Sequence, residues 1–209
     1  MSLFKRVLAE RTRYITVLLE DIYQSQNASA VLRTCDCNGI QDVHIVEERN
    51  EYTINRDVAL GADQWLTLHY YNKGGCNIER AVKALKERKY RIVATSPHKD
   101  GVRPESFDLN KGKAVLLFGT ELNGLTDQAL ELADEFIQIP MAGFTESYNI
   151  SVSAAINLYT LRKRLEASSL QWKLEKGEEN ELLLNWLRTS IKMSEQIENK
   201  FIKDYNPDF

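Results

Sequence analysis

The sequence predicts an α/β protein in which a mostly parallel sheet is flanked by helices. Short apolar runs that read as buried strands alternate along the chain with stretches of helical period. Three of the strands run directly into unusual loops, at Thr95, at Gly119 to Gly124 and at Pro140 to Asn149. Ligands in parallel sheets collect at the C-terminal ends of strands, so these loops are expected to meet around one site.

Each element has its own signal. Leu3 to Arg11 suit a short helix, and Ile15 to Leu19 a buried strand ending at Glu20 and Asp21. Gln24 to Asn27 read as a loop and Ala28 to Cys37 as a helix, with Gly39 just past its end. Val43 to Val46 are the second strand and Leu66 to Tyr70 a short third. Ile78 to Arg88 form a helix whose buried stripe is Ile78, Val82 and Leu85, and Arg91 to Thr95 the next strand. Ser96 to Leu109 contain Pro97, Gly101 and Pro104 and are largely loop. Ala114 to Phe118 form the most hydrophobic strand, opening onto GTELNGLTD, and Asp127 to Leu132 suit a brief helix. Phe136 to Ile139 read as a strand, and a helix follows from Ile150 to Arg164 with Val152, Ala155, Ile156 and Tyr159 along its apolar side. Ser168 to Gly177 form a hinge before a long helix over Glu178 to Phe201, with Leu183, Trp186, Leu187 and Ile191 as its packing face.

With 209 residues, 43% of them hydrophobic, the chain suits a single domain with short N-terminal and long C-terminal helical extensions. No apolar run is long enough for a membrane span, and the basic start at Lys5, Arg6, Arg11 and Arg13 is not followed by the apolar segment of a secretory signal. A cytoplasmic protein is expected. Cys35, Cys37 and Cys76 make no paired ligand motif, and His44, His69 and His98 are scattered, so no metal is expected. There is no GxGxxG after the first strand, no phosphate-binding loop at Gly112-Lys113-Ala114 and no GxSxG. A net charge of −3 does not suit a protein that coats nucleic acid indiscriminately, although a local basic patch is compatible with it.

The most informative stretch runs from Glu135 to Arg164: a strand, a loop too rich in small and polar residues for either regular period, and the start of an amphipathic helix. Gly143, Ser147 and Asn149 let that loop bend around a small ligand and hydrogen-bond to it. The competing reading is an ordinary connection with Asn149 as helix N-cap.

Three segments together, QNASAVLRTCDCNGI, LLFGTELNGLTD and IQIPMAGFTESYNISVSAAINLY, resemble the TrmH-type branch of the SPOUT RNA methyltransferases. The similarity covers nearly the whole chain. It implies a SPOUT fold with a deep trefoil knot toward the C-terminus, S-adenosylmethionine as cofactor, a homodimer with the active site near the subunit interface, and 2'-O-methylation of a guanosine ribose in the tRNA D-loop. Neither a membrane nor a metal is implied as partner. Cofactor contacts carry over to Thr95, Gly119, Glu121, Ile139, Met141, Ser147, Asn149 and Ile150, and catalytic roles to Arg33, Asn27, Glu121, Ser147 and Asn149. Ile139, Met141 and Ile150 are suited to an apolar adenine slot, while Gly119 and Gly143 allow close approach of main chain.

Arg33 is charged within a small and apolar helical segment, and the resemblance makes it the group that handles the ribose 2'-hydroxyl. Free guanidinium is a poor base, so clamping of a backbone phosphate is an equal part of the role; an ordinary surface helix arginine is the competing reading. Asn27 serves either as an N-cap, worth about 1 kcal/mol, or as a residue orienting RNA or Arg33. Glu121 serves the cofactor's amino acid end or a partner arginine, against a plain turn carboxylate. For RNA, the candidates are Lys5, Arg6, Arg11 and Arg13 near the start and Arg162, Lys163 and Arg164 after the central helix, with Tyr23, Tyr52 or Tyr148 available to stack on a base. Solvated faces explain such charge runs equally simply. The acidic run from Glu175 to Glu181 departs from a basic RNA enzyme and leaves specificity to RNA shape.

The alternatives within the same chemistry are another tRNA position, in the anticodon loop, or a ribosomal RNA nucleotide. In a different class stands a non-catalytic RNA-binding protein of the same fold. Trp172, Trp186, Leu183 and Leu187 suit either a dimer interface or packing within one subunit.

Overall fold

The structure, a computed structural model, describes residues 2–120 and 122–205. In chain order its helices are α1 (Ser2–Leu8), α2 (Ser25–Cys37), α3 (Arg56–Ala59), α4 (Asn77–Glu87), α5 (Asp127–Leu132), α6 (Ile150–Glu166), α7 (Lys176–Ser190) and α8 (Ser194–Tyr205). The strands are β1 (Ile15–Glu20), β2 (Asp42–Val46), β3 (Thr67–Tyr71), β4 (Arg91–Thr95), β5 (Ala114–Phe118) and β6 (Glu135–Ile137). The chain divides into two compact units, residues 11–173 and residues 1–10 with 174–209.

The larger unit holds a six-stranded sheet in the order β3-β2-β1-β5-β4-β6, with every pairing parallel. Each strand is too short to bury its apolar residues alone, and helices on both faces complete the layers. Residues alternate between two cores as the pleat requires. Ile15, Val17, Leu19, Val93, Leu116 and Phe118 join the core containing Val31 and Leu32 of α2 and Leu158 and Leu161 of α6. Leu18, Ile92, Ala94, Val115 and Leu117 join the other, with Ile78, Val82 and Leu85 of α4 and Ala129 of α5. Register levels the ends that matter: Ala94 stands beside Leu117, and Thr95 beside Ile137.

Several boundaries differ from the sequence expectation. Helix α2 begins at Ser25, so Asn27 lies in its first turn rather than before it, and Gln24 takes the cap position. Strand β6 stops at Ile137 because the Gln138 N–H donates to the Val102 carbonyl (3.0 Å), outside the sheet ladder, and Pro140 has no N–H to offer. On α6 the buried stripe is Ile150, Ala154, Leu158, Leu161 and Leu165, whereas Val152 is 44% and Tyr159 60% exposed. The helix is apolar on two faces, and the period marked the one that this chain leaves uncovered. The segment before Lys173 is pinned rather than hinged: Thr12 donates its hydroxyl proton to the Trp172 carbonyl and bridges to Lys173.

In the smaller unit, Phe4 of α1 meets Trp186 of α7 edge to face at 5.7 Å. The expected long helix is two, α7 and α8, separated where Met193 adopts φ +60°. Helix α7 starts on a capping box in which Glu175 and Glu178 each satisfy the other's backbone N–H.

One buried polar group gives the sheet a pH dependence. His44 of β2 is stacked on His69 at 4.5 Å, and its Nδ1 lies 3.1 Å from the Tyr71 hydroxyl. Burial, reinforced by His69, pushes its pKa down from 6.5 to about 3. The native state then binds fewer protons than the unfolded chain, so stability is full above pH 6.5 and is lost as pH falls toward 3. The loss should reach the order of 5 kcal/mol at the acid end. Thermal unfolding of the protein and of its His44→Gln variant across that range should show a flatter pH profile in the variant.

Candidate active site

A cavity of about 260 Å³ opens at the C-terminal ends of β4, β5 and β6, slightly below the usual range for small-molecule sites. Thr95, Gly119, Ile139, Met141, Ser147 and Ile150 line it, so six of the expected cofactor positions, separated by up to 55 residues, converge there. The strands bring the first two to the rim, and the segment after β6 brings the rest. Glu121 lies outside the described residues, and Asn149 stands beside the cavity as the N-cap of α6.

The loop after β5 folds back on itself. The Thr120 N–H donates to the Gly124 carbonyl (2.9 Å), and the Gly124 N–H returns a bond to the Thr120 carbonyl (3.0 Å). This places Gly119 against the Gly124 carbonyl so closely that a Cβ there would overlap backbone atoms. Glycine is required at that position for space, and Gly124, at φ +68°, for conformation. The cavity wall is therefore main chain, which a ligand can approach without a side chain intervening.

Thr95 directs its hydroxyl proton to the Leu117 carbonyl (2.6 Å), tying the ends of β4 and β5 together and leaving oxygen lone pairs for a ligand. Residues that sequence reasoning missed complete the wall: Ser96 to Lys99 on one side, and Ser153 and Asn157 of α6 on another. Their signal was present in the spacing, since Ile150, Ser153 and Asn157 fall on one helix face. Asn157 is fully buried and donates to the Ser153 carbonyl (2.9 Å). That carbonyl can only accept, so the nitrogen must face it and Oδ1 is left without a partner among the described residues. A main-chain wall, half-buried apolar side chains at Ile139 and Met141 and this unmatched oxygen suit a ligand that is partly apolar and partly polar, as S-adenosylmethionine is.

Asn149 accepts from the Ser151 N–H (2.9 Å), and its Nδ2 donates to Oδ1 of Asn27 (3.0 Å). Asn27 in turn donates to Gln24 (3.0 Å). Two expected catalytic residues, 122 positions apart, are thus joined, and the starts of α2 and α6 with them. Arg33, farther along α2, is exposed and does not line the cavity. It lies in a shallow groove with Thr34, Cys37, Ala155, Ile156 and Tyr159, against the uncovered face of α6.

The expected RNA-binding cations divide. Lys5 and Arg6 are exposed on α1, and Lys163 is exposed beside Glu166 (2.8 Å). Arg11 is 2% exposed, paired with Asp36 and donating to the Ile40 carbonyl, which removes it from any phosphate. Arg162 is likewise buried, stacked over Trp172 at 4.1 Å and bonded to Glu166 (3.0 Å). Arg13 pairs with Asp42 (3.2 Å), and Arg164 donates to the Pro104 carbonyl (2.7 Å). A charge run in the sequence fits an exposed face, but a cation held by a partner, buried or half-buried, carries the same letters. Tyr52 is half-buried with its hydroxyl 3.2 Å from Ser29, whereas Tyr23 and Tyr148 are exposed.

Comparison with known proteins gives a consistent set of matches. Residues 14–159 match the SpoU rRNA Methylase family. The chain is 45% identical over 195 residues to a tRNA (guanosine(18)-2'-O)-methyltransferase of Borreliella burgdorferi, covering 93% of this chain and 87% of that protein. It is 35% identical to the Thermus thermophilus enzyme of the same name, over 88% of this chain and 93% of that one. Among solved structures, the A. aeolicus TrmH/SpoU tRNA modifying enzyme superposes with a TM-score of 0.77 at 27% identity, covering 91% of this chain and 96% of its own.

Gly119→Ala should weaken S-adenosylmethionine binding by about tenfold or more, because the loop must move to admit a methyl group. Calorimetric titration of the variant, with circular dichroism to verify the fold, checks this.

Proposed function

Since the chain belongs to the SpoU rRNA Methylase family, we propose that it transfers the methyl group of S-adenosylmethionine to the ribose 2'-oxygen of guanosine 18 in the tRNA D-loop. The observation that carries this reading is the convergence of six cofactor positions on one cavity in a chain 45% identical, over nearly its whole length, to an enzyme of that name. Residues 11–173 serve as the methyltransferase unit, with α1, α7 and α8 as its extensions.

When bound, S-adenosylmethionine supplies an electrophilic methyl on a sulfonium whose departure leaves a neutral thioether. The chain's own residues have two tasks. Thr95, the Gly119 main chain and the segment from Ile139 to Ile150 hold the donor in one orientation, which lowers the entropic part of the barrier. Arg33 gathers the nucleophile: its guanidinium pairs with a neighbouring phosphate and stabilises negative charge developing on the 2'-oxygen, whose proton passes to solvent water as the O–CH3 bond forms and the S–CH3 bond breaks. Asn27 and Asn149, joined to each other, orient the helix that carries Arg33.

The placement of Arg33 supports a shared active site. It faces the uncovered apolar side of α6 and lies outside its own chain's cavity, so a second subunit packed on α2 and α6 would bring each Arg33 toward the other's cavity. An apolar helix face left open by one chain is the surface that a homodimer would cover. From the family resemblance we also infer a deep trefoil knot toward the C-terminal half of the sheet. No described helix is long and apolar enough to cross a membrane, and with tRNA as substrate we place the protein in the cytoplasm.

Incubation with labelled S-adenosylmethionine and unmodified tRNA, with ribosomal RNA in parallel, should place label on the ribose of guanosine 18. Arg33→Ala should lower the rate by about a hundredfold with cofactor affinity unchanged. Label at another nucleotide would keep the chemistry and replace the substrate, and RNA binding without transfer would support the non-catalytic reading.

A further inference from the structure

The rim of the cavity carries large apolar side chains that no described residue covers. Leu122, on the loop after β5, is 94% exposed, and Tyr148, on the segment before α6, is 45% exposed; both also line the cavity. Phe144, on the same segment as Tyr148, is fully exposed, and every residue from 142 to 149 is exposed with it. Isolated exposed apolar residues need no explanation, but three on the two loops that frame a ligand site do. The cofactor does not account for them, since Ile137, Ile139, Met141 and Ile150 supply apolar wall deeper in the cavity and are buried or half-buried.

We propose that Leu122, Phe144 and Tyr148 form the stacking platform for the guanine base of the target nucleotide. This rests on the tRNA methylation reading above. The reacting 2'-oxygen and the glycosidic nitrogen sit on neighbouring ribose carbons, so a ribose presented at the cavity mouth carries its base to the rim. A purine there has two apolar faces, and a base drawn out of the D-loop loses its stacking partners. Aromatic and aliphatic side chains from two separate loops replace those partners without reading the base edge. The platform is continuous with the cavity through Leu122 and Tyr148, which places the base next to the donor.

The test crosses enzyme variants with substrate variants. Methylation kinetics are measured on tRNA and on the same tRNA carrying an abasic ribose, with its 2'-hydroxyl retained, at the target position. The unaltered protein should favour the base-containing RNA by about tenfold in kcat/KM. Measured at saturating S-adenosylmethionine, the Leu122→Ala/Phe144→Ala/Tyr148→Ala protein should lose about tenfold on that RNA and less than about twofold on the abasic one, with oligomeric state unchanged. Tyr148→Phe, tested alone, should retain the preference. Equal losses on both RNAs, unchanged kinetics on the base-containing RNA, or dissociation of the triple variant into smaller species would overturn the platform. Failure of the unaltered protein to methylate either RNA would overturn the tRNA reading itself and the platform with it.

Discussion

Strand β5 lies between β1 and β4 with all five residues buried, Leu116 and Phe118 facing one helical layer and Val115 and Leu117 the other. Because both faces are covered, the strand can end only by leaving the sheet at its edge, and it does so at Gly119. The absence of a side chain there lets the next turn close directly on the strand end. The cavity is the space left above three strands that stop level with one another while their loops turn outward. Burial of β5 fixes the height of the floor, and the tight turn at Gly119 fixes one wall.

The second constraint is the amide pair that joins Asn27 to Asn149. Each side chain also serves its own helix start, since Asn149 caps α6 and Asn27 bonds to Gln24 at the cap of α2. The hydrogen bond between them therefore couples two helix ends that the core already packs together through Val31, Leu32, Leu158 and Leu161. Arg33 stands on α2 beyond this junction, outside the cavity of its own chain. A side chain so placed is held at a fixed distance from the cavity by the junction of the two helices, beside the open face of α6.

Most strands were legible because their apolar runs are bounded by turns, and the three converging loops because glycine and polar residues cluster at strand ends. Elements with two competing signals were less so. Helix α6 has apolar residues on both sides, so periodicity could not say which side meets the core. The break at Met193 has no proline or glycine to announce it, and its positive φ falls on a residue that rarely adopts one. Asn157 is polar on a buried face and was invisible to any search for apolar stripes. The functional signal lies in whole segments such as LLFGTELNGLTD, because no single residue among them separates a methyl donor site from an ordinary connection.

Charge shows the same limit in a different form. The net value of −3 conceals arginines already committed inside the protein: Arg11 to Asp36, Arg13 to Asp42, Arg91 to Glu135 and Arg162 to Glu166. A buried, paired cation contributes nothing to counterion release from RNA, whereas its carboxylate partner is cancelled along with it. The charge available to RNA is therefore set by the exposed heads, such as Lys5, Arg6 and Lys163, and not by the total. At the cavity mouth, exposed Leu122, Phe144 and Tyr148 stand among polar residues such as His98, Lys99 and Asn123, so contacts that salt does not weaken are available beside those that it does.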